Sequence, residues 1–329
     1  MSIRTRLNRR RLTQLGLGLL TAGTLSLPAL ADYPERTVRI VVGFSAGGTT
    51  DVVARRMAKE LTDALGQPFV VENRPGAGSN IATDFVRQAK PDGYTLLMMA
   101  VTSTINQTLY SNAAFDLERD FDGVALAAKV PNVLVVHPSV PANTVPELID
   151  WAKANERTAS YGSSGSGTSI HMAGEMFKVR TGLDTQHIPY QGSAPAMTDL
   201  LAGRVHYMFD NMPSAWPHVQ AGKLRALAVT TKERSESAPD VPTMEESGVS
   251  PFNVTSWFGM VAPKGTPRDI IDAVNKAMNE SFEKPEVKEA YKALGAVAEQ
   301  NTPQEFDAFI RSEVAGWAPI VKASGAGVD

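Results

Sequence analysis

The 329-residue sequence contains no cysteine. That absence excludes disulfide bonds, a lipid-modified N-terminal cysteine, thiolate metal sites and cysteine catalysis. Histidine is scarce as well, since the chain has five, and their positions show neither the H-x-H nor the H-E-x-x-H spacing of a metal site. The sequence therefore supports no metal centre, and we expect no cofactor.

Long apolar runs are also missing, because the apolar stretch that starts at Leu15 is interrupted by threonine and glycine and is too short to span a bilayer. It follows five arginines and ends in Ala29-Leu30-Ala31, which has the A-x-A form of a signal cleavage site. We predict a signal peptide over residues 1–31 and an exported, periplasmic protein. Arg9-Arg10-Arg11 leaves both the general secretory and the twin-arginine route open.

Basic residues are outnumbered by acidic residues once the predicted signal peptide is removed, because residues 1–31 hold five arginines and no acidic residue. The remaining chain carries 27 Lys and Arg against 35 Asp and Glu, a net charge of −8. This balance argues against nucleic acid and anionic membrane surfaces as partners. With 43% hydrophobic residues, the chain can form one large soluble unit or two lobes with cores of their own.

The first part of the mature chain alternates predicted strands and helices. Residues 37–42 are β-rich, residues 49–65 show helical spacing and are followed by Gly66, and strand-like runs return at 68–72 and 94–100. Alternation of this kind is typical of an α/β fold, a parallel sheet with helices on its faces.

Two strand-like runs at 124–128 and 133–137 then flank Val130-Pro131-Asn132, where we interpret the chain as crossing to a second lobe. That lobe repeats the unit, with a strand at 158–161, a Gly/Ser-rich loop at 162–167 and a helix from Thr168. A strand near 256–262 returns to the first lobe. We predict a ligand cleft between the lobes, at the carboxyl ends of the strands. The predicted boundaries are residues 32–131 and 254–329 for lobe 1 and residues 132–253 for lobe 2.

The glycine loop after the first predicted strand matches the nucleophile elbow G-x-S-x-G of serine hydrolases in Gly43-Phe44-Ser45-Ala46-Gly47. Its partners are missing, because an α/β hydrolase places its histidine late in the chain and the last histidine here is His218. Ser45 also follows the predicted mature start too closely for the strands that precede such an elbow. A secreted hydrolase that uses Ser45 stays as the alternative function.

Nucleotide-binding motifs are incomplete. Gly43 and Gly48 are spaced as in a P-loop, but Thr49-Thr50 stand where that motif needs a lysine. Gly76-Ala77-Gly78 lacks the third glycine of a Rossmann loop, since Ile81 takes that place. Nucleotide binding is therefore not supported.

Both glycine loops fit a backbone anion-binding site better than a hydrolase elbow or a nucleotide-binding motif. Glycine lets successive N–H groups point outward, and a helix that begins at Thr49 or Thr168 adds its positive end. Neither loop contains lysine or arginine, so the site suits a carboxylate rather than a polyphosphate. Asp51 fits a complement to the helix dipole better than a ligand contact, whereas His171 is equally compatible with ligand contact and with surface placement.

The chain resembles the solute receptors of tripartite tricarboxylate transporters, also called Bug proteins. The resemblance covers the whole mature chain. The matching stretches are Tyr33-Pro34, Val41-Val42-Gly43-Phe44, Ala46-Gly47-Gly48, Asp51, Glu72-Asn73-Arg74-Pro75-Gly76-Ala77-Gly78, Pro91-Asp92-Gly93-Tyr94-Thr95-Leu96, Pro189-Tyr190, Gly192, Pro195-Ala196, Gly203, Asp210 and Trp257-Phe258-Gly259.

This resemblance implies a two-lobed periplasmic binding fold of the second type that closes on a small organic acid. It implies a non-catalytic receptor, expected to be a monomer, whose partners are the ligand and the membrane subunits of the transporter. A sensor that presents its ligand to a kinase stays open, as does the identity of the acid. The ligand-binding residues carried over by position are Phe44, Ser45, Gly47, Gly48, Thr49, Thr102, Ser103, Thr104, Ser163, Ser164, Gly165, Gly167, Thr168 and Asp210. Thr102, Ser103 and Thr104 are expected in the loop after the strand-like run at 94–100.

Ser45 stands where many relatives have proline or another small apolar residue, so the resemblance implies an extra hydroxyl at this position. Asp210 is expected at the cleft, where it would accept a hydrogen bond from an amino or hydroxyl group and so select among acids; a turn cap with Asn211 is equally open.

Overall fold

The computed structural model of the protein describes residues 33–324. The predicted signal peptide, its cleavage site after Ala31 and the mature start at Asp32 lie outside the described residues. Within the described part, no helix is both long and apolar enough to cross a membrane.

Nine strands occur among residues 33–324. They are β1 (Val38–Val42), β2 (Phe69–Asn73), β3 (Thr95–Ala100), β4 (Phe121–Val136), β5 (Ser160–Ser163), β6 (Gln186–Pro189), β7 (Tyr207–Asn211), β8 (Arg225–Val229) and β9 (Thr255–Pro263).

The same residues form eleven α-helices and a short 3-10 turn at Ala77–Ser79. The helices are α1 (Thr49–Leu65), α2 (Asn80–Arg87), α3 (Val101–Leu109), α4 (Leu117–Asp120), α5 (Val145–Ala154), α6 (Ser169–Thr181), α7 (Ser193–Leu201), α8 (Met212–Gln220), α9 (Arg268–Phe282), α10 (Pro285–Ala293) and α11 (Pro303–Ser324).

The strands make one mixed sheet with β9 and β4 at its centre. Its order is β2-β1-β3-β9-β4-β7-β5-β6, and β8 pairs with β4. On one side β1 lies parallel to β2 and β3, and on the other β5 lies parallel to β6 and β7. β4 pairs with β9 as far as Pro131, and from Asn132 onward it pairs with β7 and β8. The two parallel groups are thus joined by β4 and β9. The change of partner coincides with the predicted lobe boundary, which stays a prediction.

Apolar spacing explains how α1 packs on β1. Val53, Met57 and Leu61 recur every four residues on one face of α1, and all three are buried. They pack in one cluster with β1 residues such as Ile40, and full burial of each such side chain contributes about 1.5–3 kcal/mol. The helix ends at Gly66, whose left-handed backbone lets its N–H bond to the Thr62 carbonyl.

The structure differs from the sequence prediction at two places near the cleft. The two strand-like runs around Pro131 form one strand, β4, because antiparallel neighbours supply ladder partners on both sides of the proline. Thr102, Ser103 and Thr104 lie in the first turn of α3 rather than in a loop, because α3 begins directly after β3 ends at Ala100.

The strand ends decide where a ligand site can form. β1, β3, β5, β6 and β7 lead at their carboxyl ends into α1, α3, α6, α7 and α8 respectively. Since β1 and β3 are parallel, and β5 is parallel to β6 and β7, the helix N-termini within each group lie at one edge of the sheet.

Candidate functional site

A small cavity of about 20 Å³ lies where these helix N-termini meet. None of the described residues that line it carries a charge. The lining residues are Phe44, Gly48, Thr49, Thr50, Ala100, Val101, Thr102, Ser164, Thr168, Ser169, Ile170, Ser193, Asn211, Ser256 and Phe258.

Five helices place residues of their N-termini in the wall of this cavity. α1 contributes Gly48 and Thr49, α3 contributes Ala100 and Val101, α6 contributes Thr168 and its two successors, α7 contributes Ser193 and α8 contributes its N-cap Asn211. Neither Gly48 nor Ala100 supplies a side-chain cap to its helix. Backbone amides in the first turn of an α-helix have no partner within the helix, so the starts of α1 and α3 offer N–H groups and a positive potential to a ligand.

Two hydroxyl groups at these helix starts lack a partner within the described residues. The Oγ atoms of Thr49 and Ser103 are buried and unpaired; Thr49 lines the cavity and Ser103 does not. Thr102 also lines the cavity, whereas Thr104 Oγ1 donates to the Val101 carbonyl at 2.7 Å. A buried hydroxyl without a partner costs free energy unless a ligand or water completes it. The Thr49 hydroxyl is therefore suited to ligand contact.

The first glycine loop divides into residues that line the cavity and residues that shape the loop. Phe44 and Gly48 line the cavity. Ser45 donates through both its N–H and its Oγ to the Gln191 carbonyl, at 3.0 and 2.9 Å. Gly47 has φ +87° and donates its N–H to Asp51 Oδ2 at 3.0 Å.

Asp51 holds this loop in place. Its carboxylate accepts hydrogen bonds from Gly47 N, Arg55 Nε and Asn73 Nδ2. Burial alone would raise the pKa of Asp51, but these hydrogen bonds outweigh it and lower that pKa. Asp51 is therefore an ionised support of the loop and does not line the cavity.

The second glycine loop is supported in a similar way. Ser164 and Thr168 line the cavity. Gly165 N donates to Ser163 Oγ at 3.1 Å, and Gly167 N donates to His171 Nδ1 at 3.2 Å. Thr168 caps α6, since its Oγ1 accepts from His171 N and donates to the Gly165 carbonyl.

A histidine pair lies behind this loop. The His171 and His187 rings stack with their centroids 4.2 Å apart, and His187 Nε2 lies 2.6 Å from Ser163 Oγ. Burial lowers the pKa of His187 to about 3 and also lowers the pKa of His171. His171 is 7% exposed, so the surface placement left open by the sequence is wrong. Both imidazoles are neutral at pH 7, and the uncharged Nδ1 of His171 accepts from the loop.

Asp210 is fully buried one layer behind the cavity wall. Its Oδ1 accepts from Ser193 Oγ and from Asn211 N, while Oδ2 has no partner within the described residues. Burial raises the pKa of Asp210 to about 6, although hydrogen bonds from Ser193 and Asn211 oppose the rise.

Sequence reasoning missed several polar residues of the wall. Asn211 begins α8 and is followed by Pro213 in the first turn, a start signal that could have revealed this helix and its place at a strand end. No local pattern distinguishes the other residues of the wall. Those missed are Thr50, Ser169, Ser193, Asn211 and Ser256.

A family model described as the tripartite tricarboxylate transporter family receptor matches residues 53–326. The chain belongs to this family. Its members are periplasmic solute-binding receptors, so the resemblance drawn from the sequence motifs is confirmed.

Individual relatives agree with that assignment. Protein BugT of Bordetella pertussis is 39% identical over 320 residues, covering 96% of this chain and 98% of BugT. An R. palustris structure with adipate is 37% identical, with a TM-score of 0.86 and coverage of 89% and 98%. MatC of Rhodopseudomonas palustris, solved with bound malate, is 31% identical, with a TM-score of 0.84 and coverage of 88% and 100%. The predicted α/β periplasmic-binding fold is confirmed.

Proposed function

We propose that this receptor binds a small organic acid by its carboxylate in the cavity between the two glycine loops and delivers it to the membrane subunits of a tripartite tricarboxylate transporter. The observation that carries the proposal is the meeting of the α1, α3 and α6 N-termini at an uncharged, hydroxyl-lined cavity. Both similar structures named above were solved with a carboxylic acid, adipate or malate.

The electrostatics favour a carboxylate over a more highly charged anion. Each helix N-terminus stabilises a nearby negative charge by about 0.3–1 kcal/mol, and by up to about 2 kcal/mol in partly buried geometry. The termini of α1, α3 and α6 act together on a single carboxylate. A polyphosphate would need cationic side chains, which the described lining residues do not include.

The predicted site residues fall into three proposed roles. The contact group lines the cavity, a support group holds the loops and the start of α3, and Asp210 acts from behind the wall. The contact group is Phe44, Gly48, Thr49, Thr102, Ser164 and Thr168, and the support group is Ser45, Gly47, Thr104, Ser163, Gly165 and Gly167. Ser103, whose hydroxyl has no partner among residues 33–324 and does not line the cavity, belongs to neither group.

The receptor is proposed to be non-catalytic, monomeric and processed after Ala31. Ser45 Oγ donates its hydrogen bond to a backbone carbonyl, Gln191 O, at 2.9 Å. A carbonyl oxygen is not a base that can take the serine proton, so this contact does not activate a nucleophile. The two lobes close around the ligand through the strands that join them.

A thermal-shift screen of organic acids tests the proposal. A ligand present at a hundred times its dissociation constant stabilises the folded state by about 2.7 kcal/mol, so we expect a clear rise in melting temperature with at least one carboxylic acid. Amines and neutral sugars of the same size serve as controls. Stabilisation by these controls and by none of the acids would contradict carboxylate binding.

Delivery is tested separately by uptake of the bound acid in cells that lack this protein. We expect uptake to return when the protein is restored together with the transporter membrane subunits. A kinase response to the acid without any change in uptake would favour the sensor instead.

A further inference from the structure

One wall of the cavity rests on a buried hydrogen-bond network around Asn132, the residue at which β4 changes partners. The network consists of Asn132, Ser169, Asn211 and Ser256, whose exposed fractions are 0%, 3%, 6% and 1%. Ser169, Asn211 and Ser256 line the cavity, and Asn132 lies behind them. The network therefore decides which polar atoms this wall presents to a ligand.

The backbone carbonyl of Phe209 sets the direction of every bond in the network, because a carbonyl oxygen can only accept. Asn132 Nδ2 lies 3.1 Å from Phe209 O and donates to it, so Asn132 Oδ1 faces the other way. Asn211 Nδ2 donates to that Oδ1 at 2.8 Å and to Ser256 Oγ at 2.6 Å. Both hydrogens of the Asn211 amide are thereby used.

Ser256 and Ser169 complete the network, and both of their hydroxyl protons are used within it. Ser256 Oγ donates to Asn132 Oδ1 at 2.9 Å, and Ser169 Oγ lies 2.5 Å from Ser256 Oγ. Since the Ser256 proton goes to Asn132, Ser169 is the donor of that second bond. Neither hydroxyl has a hydrogen left for a ligand.

Asn211 Oδ1 is the side-chain atom of Asn211 that takes no part in this network. It does not cap α8, and no donor within residues 33–324 bonds to it. Because the Asn211 nitrogen is turned into the network while the residue lines the cavity, the amide oxygen is the group that faces a ligand. An amide oxygen only accepts hydrogen bonds.

Ser193 gives the same wall a second acceptor. Its single proton goes to Asp210 Oδ1, and Ser214 Oγ donates to Ser193 Oγ at 3.2 Å. Asp210 Oδ2, buried and unpaired directly behind, adds negative potential to this side. The side chains of Asn211 and Ser193 thus give this wall two acceptors beside the uncapped start of α7, while the starts of α1 and α3 supply backbone donors.

We propose that the receptor selects carboxylic acids that carry a hydroxyl or ammonium group near the carboxylate, and that Asn211 Oδ1 accepts a hydrogen bond from that group. This selectivity rests on the proposed function, since it assumes an acid in this cavity. A fully ionised plain dicarboxylate brings only acceptors, so it would leave Asn211 Oδ1 desolvated and facing another oxygen. A site built to bond a ligand donor discriminates strongly against an analogue that lacks it.

Calorimetry on the wild-type protein with matched acids tests this selectivity. Succinate is compared with both enantiomers of malate and aspartate, glutarate with 2-hydroxyglutarate and glutamate, and propionate with lactate and alanine. We expect at least one hydroxy or amino acid to bind about tenfold to a hundredfold tighter than its unsubstituted partner. Unsubstituted acids that bind as tightly as all their substituted partners would overturn the selectivity alone. Failure of every carboxylic acid to bind here and in the thermal-shift screen would overturn the proposed function and the selectivity with it.

Asn211→Ala tests which residue is responsible, with Thr198→Ala as the matched control. Thr198 is exposed on α7, and its hydroxyl bonds only the Ala194 carbonyl. In Asn211→Ala we expect the preference for the substituted acid to fall to within about threefold, mainly through weaker binding of that acid, whereas Thr198→Ala keeps it. Asn211→Ala protein that keeps the full preference would overturn the role of Asn211. Should circular dichroism show that Asn211→Ala does not fold, the wild-type series decides the selectivity.

Discussion

At the scale of one residue, burial of the Asp210 carboxyl behind the cavity wall makes the stability of the protein depend on pH. Its ordinary pKa of 3.8 rises to about 6 in the folded protein, chiefly because the carboxyl is buried. A difference of that size corresponds to about 3 kcal/mol. Because the folded state holds the proton more tightly than the unfolded state, the free energy of unfolding falls as the pH rises from about 4 to about 6.

Asp210→Asn should remove this dependence, because a neutral amide does not titrate. Plotted against pH, the free energy of unfolding of the variant relative to wild type should rise by about 3 kcal/mol between about pH 4 and about pH 6.5. Urea unfolding at a series of pH values measures it. Asp272→Asn, at an exposed ion pair with Arg268 on α9, is the control. Parallel curves for wild type and Asp210→Asn would contradict the raised pKa of Asp210.

At the scale of elements, the two glycine loops differ in how their helices begin. α1 has Gly48 as its N-cap and no side-chain cap, whereas α6 is capped by Thr168 Oγ1. The amides of α1 are therefore available to a ligand, while part of the start of α6 is already satisfied. Gly48 has φ −83°, so alanine is not strained there, but its Cβ would lie 3.4 Å from Ser193 Cβ across the cavity.

Gly48→Ala and Thr168→Ala should separate binding from stability. Gly48→Ala places a methyl group between α1 and Ser193, so affinity for the acid should fall about tenfold or more with little change in melting temperature. Thr168→Ala removes a helix cap, so it should lower the free energy of unfolding by about 1 kcal/mol. Its loss of affinity for the acid should be smaller than that of Gly48→Ala. Calorimetry and thermal melts of both variants measure the two effects. Wild-type affinity in Gly48→Ala would show that the start of α1 does not hold the ligand.

Elements with a strong local signal could be predicted from the sequence. The sequence predicts α1 with the bounds Thr49–Leu65 because its apolar spacing is regular and Gly66 marks its end. It predicts two strands in place of β4 because Pro131 indicates a break, whereas pairing with the distant strand β9 keeps the strand continuous. The sequence predicts a loop at the start of α3, where threonine and serine have low helix propensity, and tertiary contacts override that local preference.

The candidate site likewise contains parts that the sequence predicts and parts that it does not. Its two glycine loops are visible as motifs, but the Asn132 network joins side chains 79 and 124 positions apart in the chain. Lone polar residues at such separations carry no pattern. Their meeting follows from the crossing of β4 and β9, which only the folded chain reveals.

At the scale of the whole molecule, β4 and β9 carry the chain between the two groups of parallel strands, and the loops meet across the cleft on both sides. Ser45 bonds the Gln191 carbonyl on one side. On the other, a Cβ on Gly78 would lie 2.6 Å from the Ser166 carbonyl, so the two backbones are in close contact. We propose that these contacts belong to a closed cleft, since opening would separate the loops that make them.

Ser45→Ala therefore tests whether the contact with Gln191 is made only on closing. The variant loses the Oγ bond but keeps the N–H bond to the same carbonyl, so the change in closing free energy should be about 0.5–1 kcal/mol. We expect affinity for the acid to fall about twofold to fivefold, with the melting temperature of the ligand-free protein unchanged, because an open cleft does not make this bond.

Ser312→Ala, which removes an exposed hydroxyl bonded to the Phe309 carbonyl on α11, is the control. Calorimetry gives the affinity, and X-ray scattering with and without the acid reports the closing. A lower melting temperature without ligand, at unchanged affinity, would show that the contact persists in the ligand-free protein and that Ser45 stabilises the fold rather than the closed state.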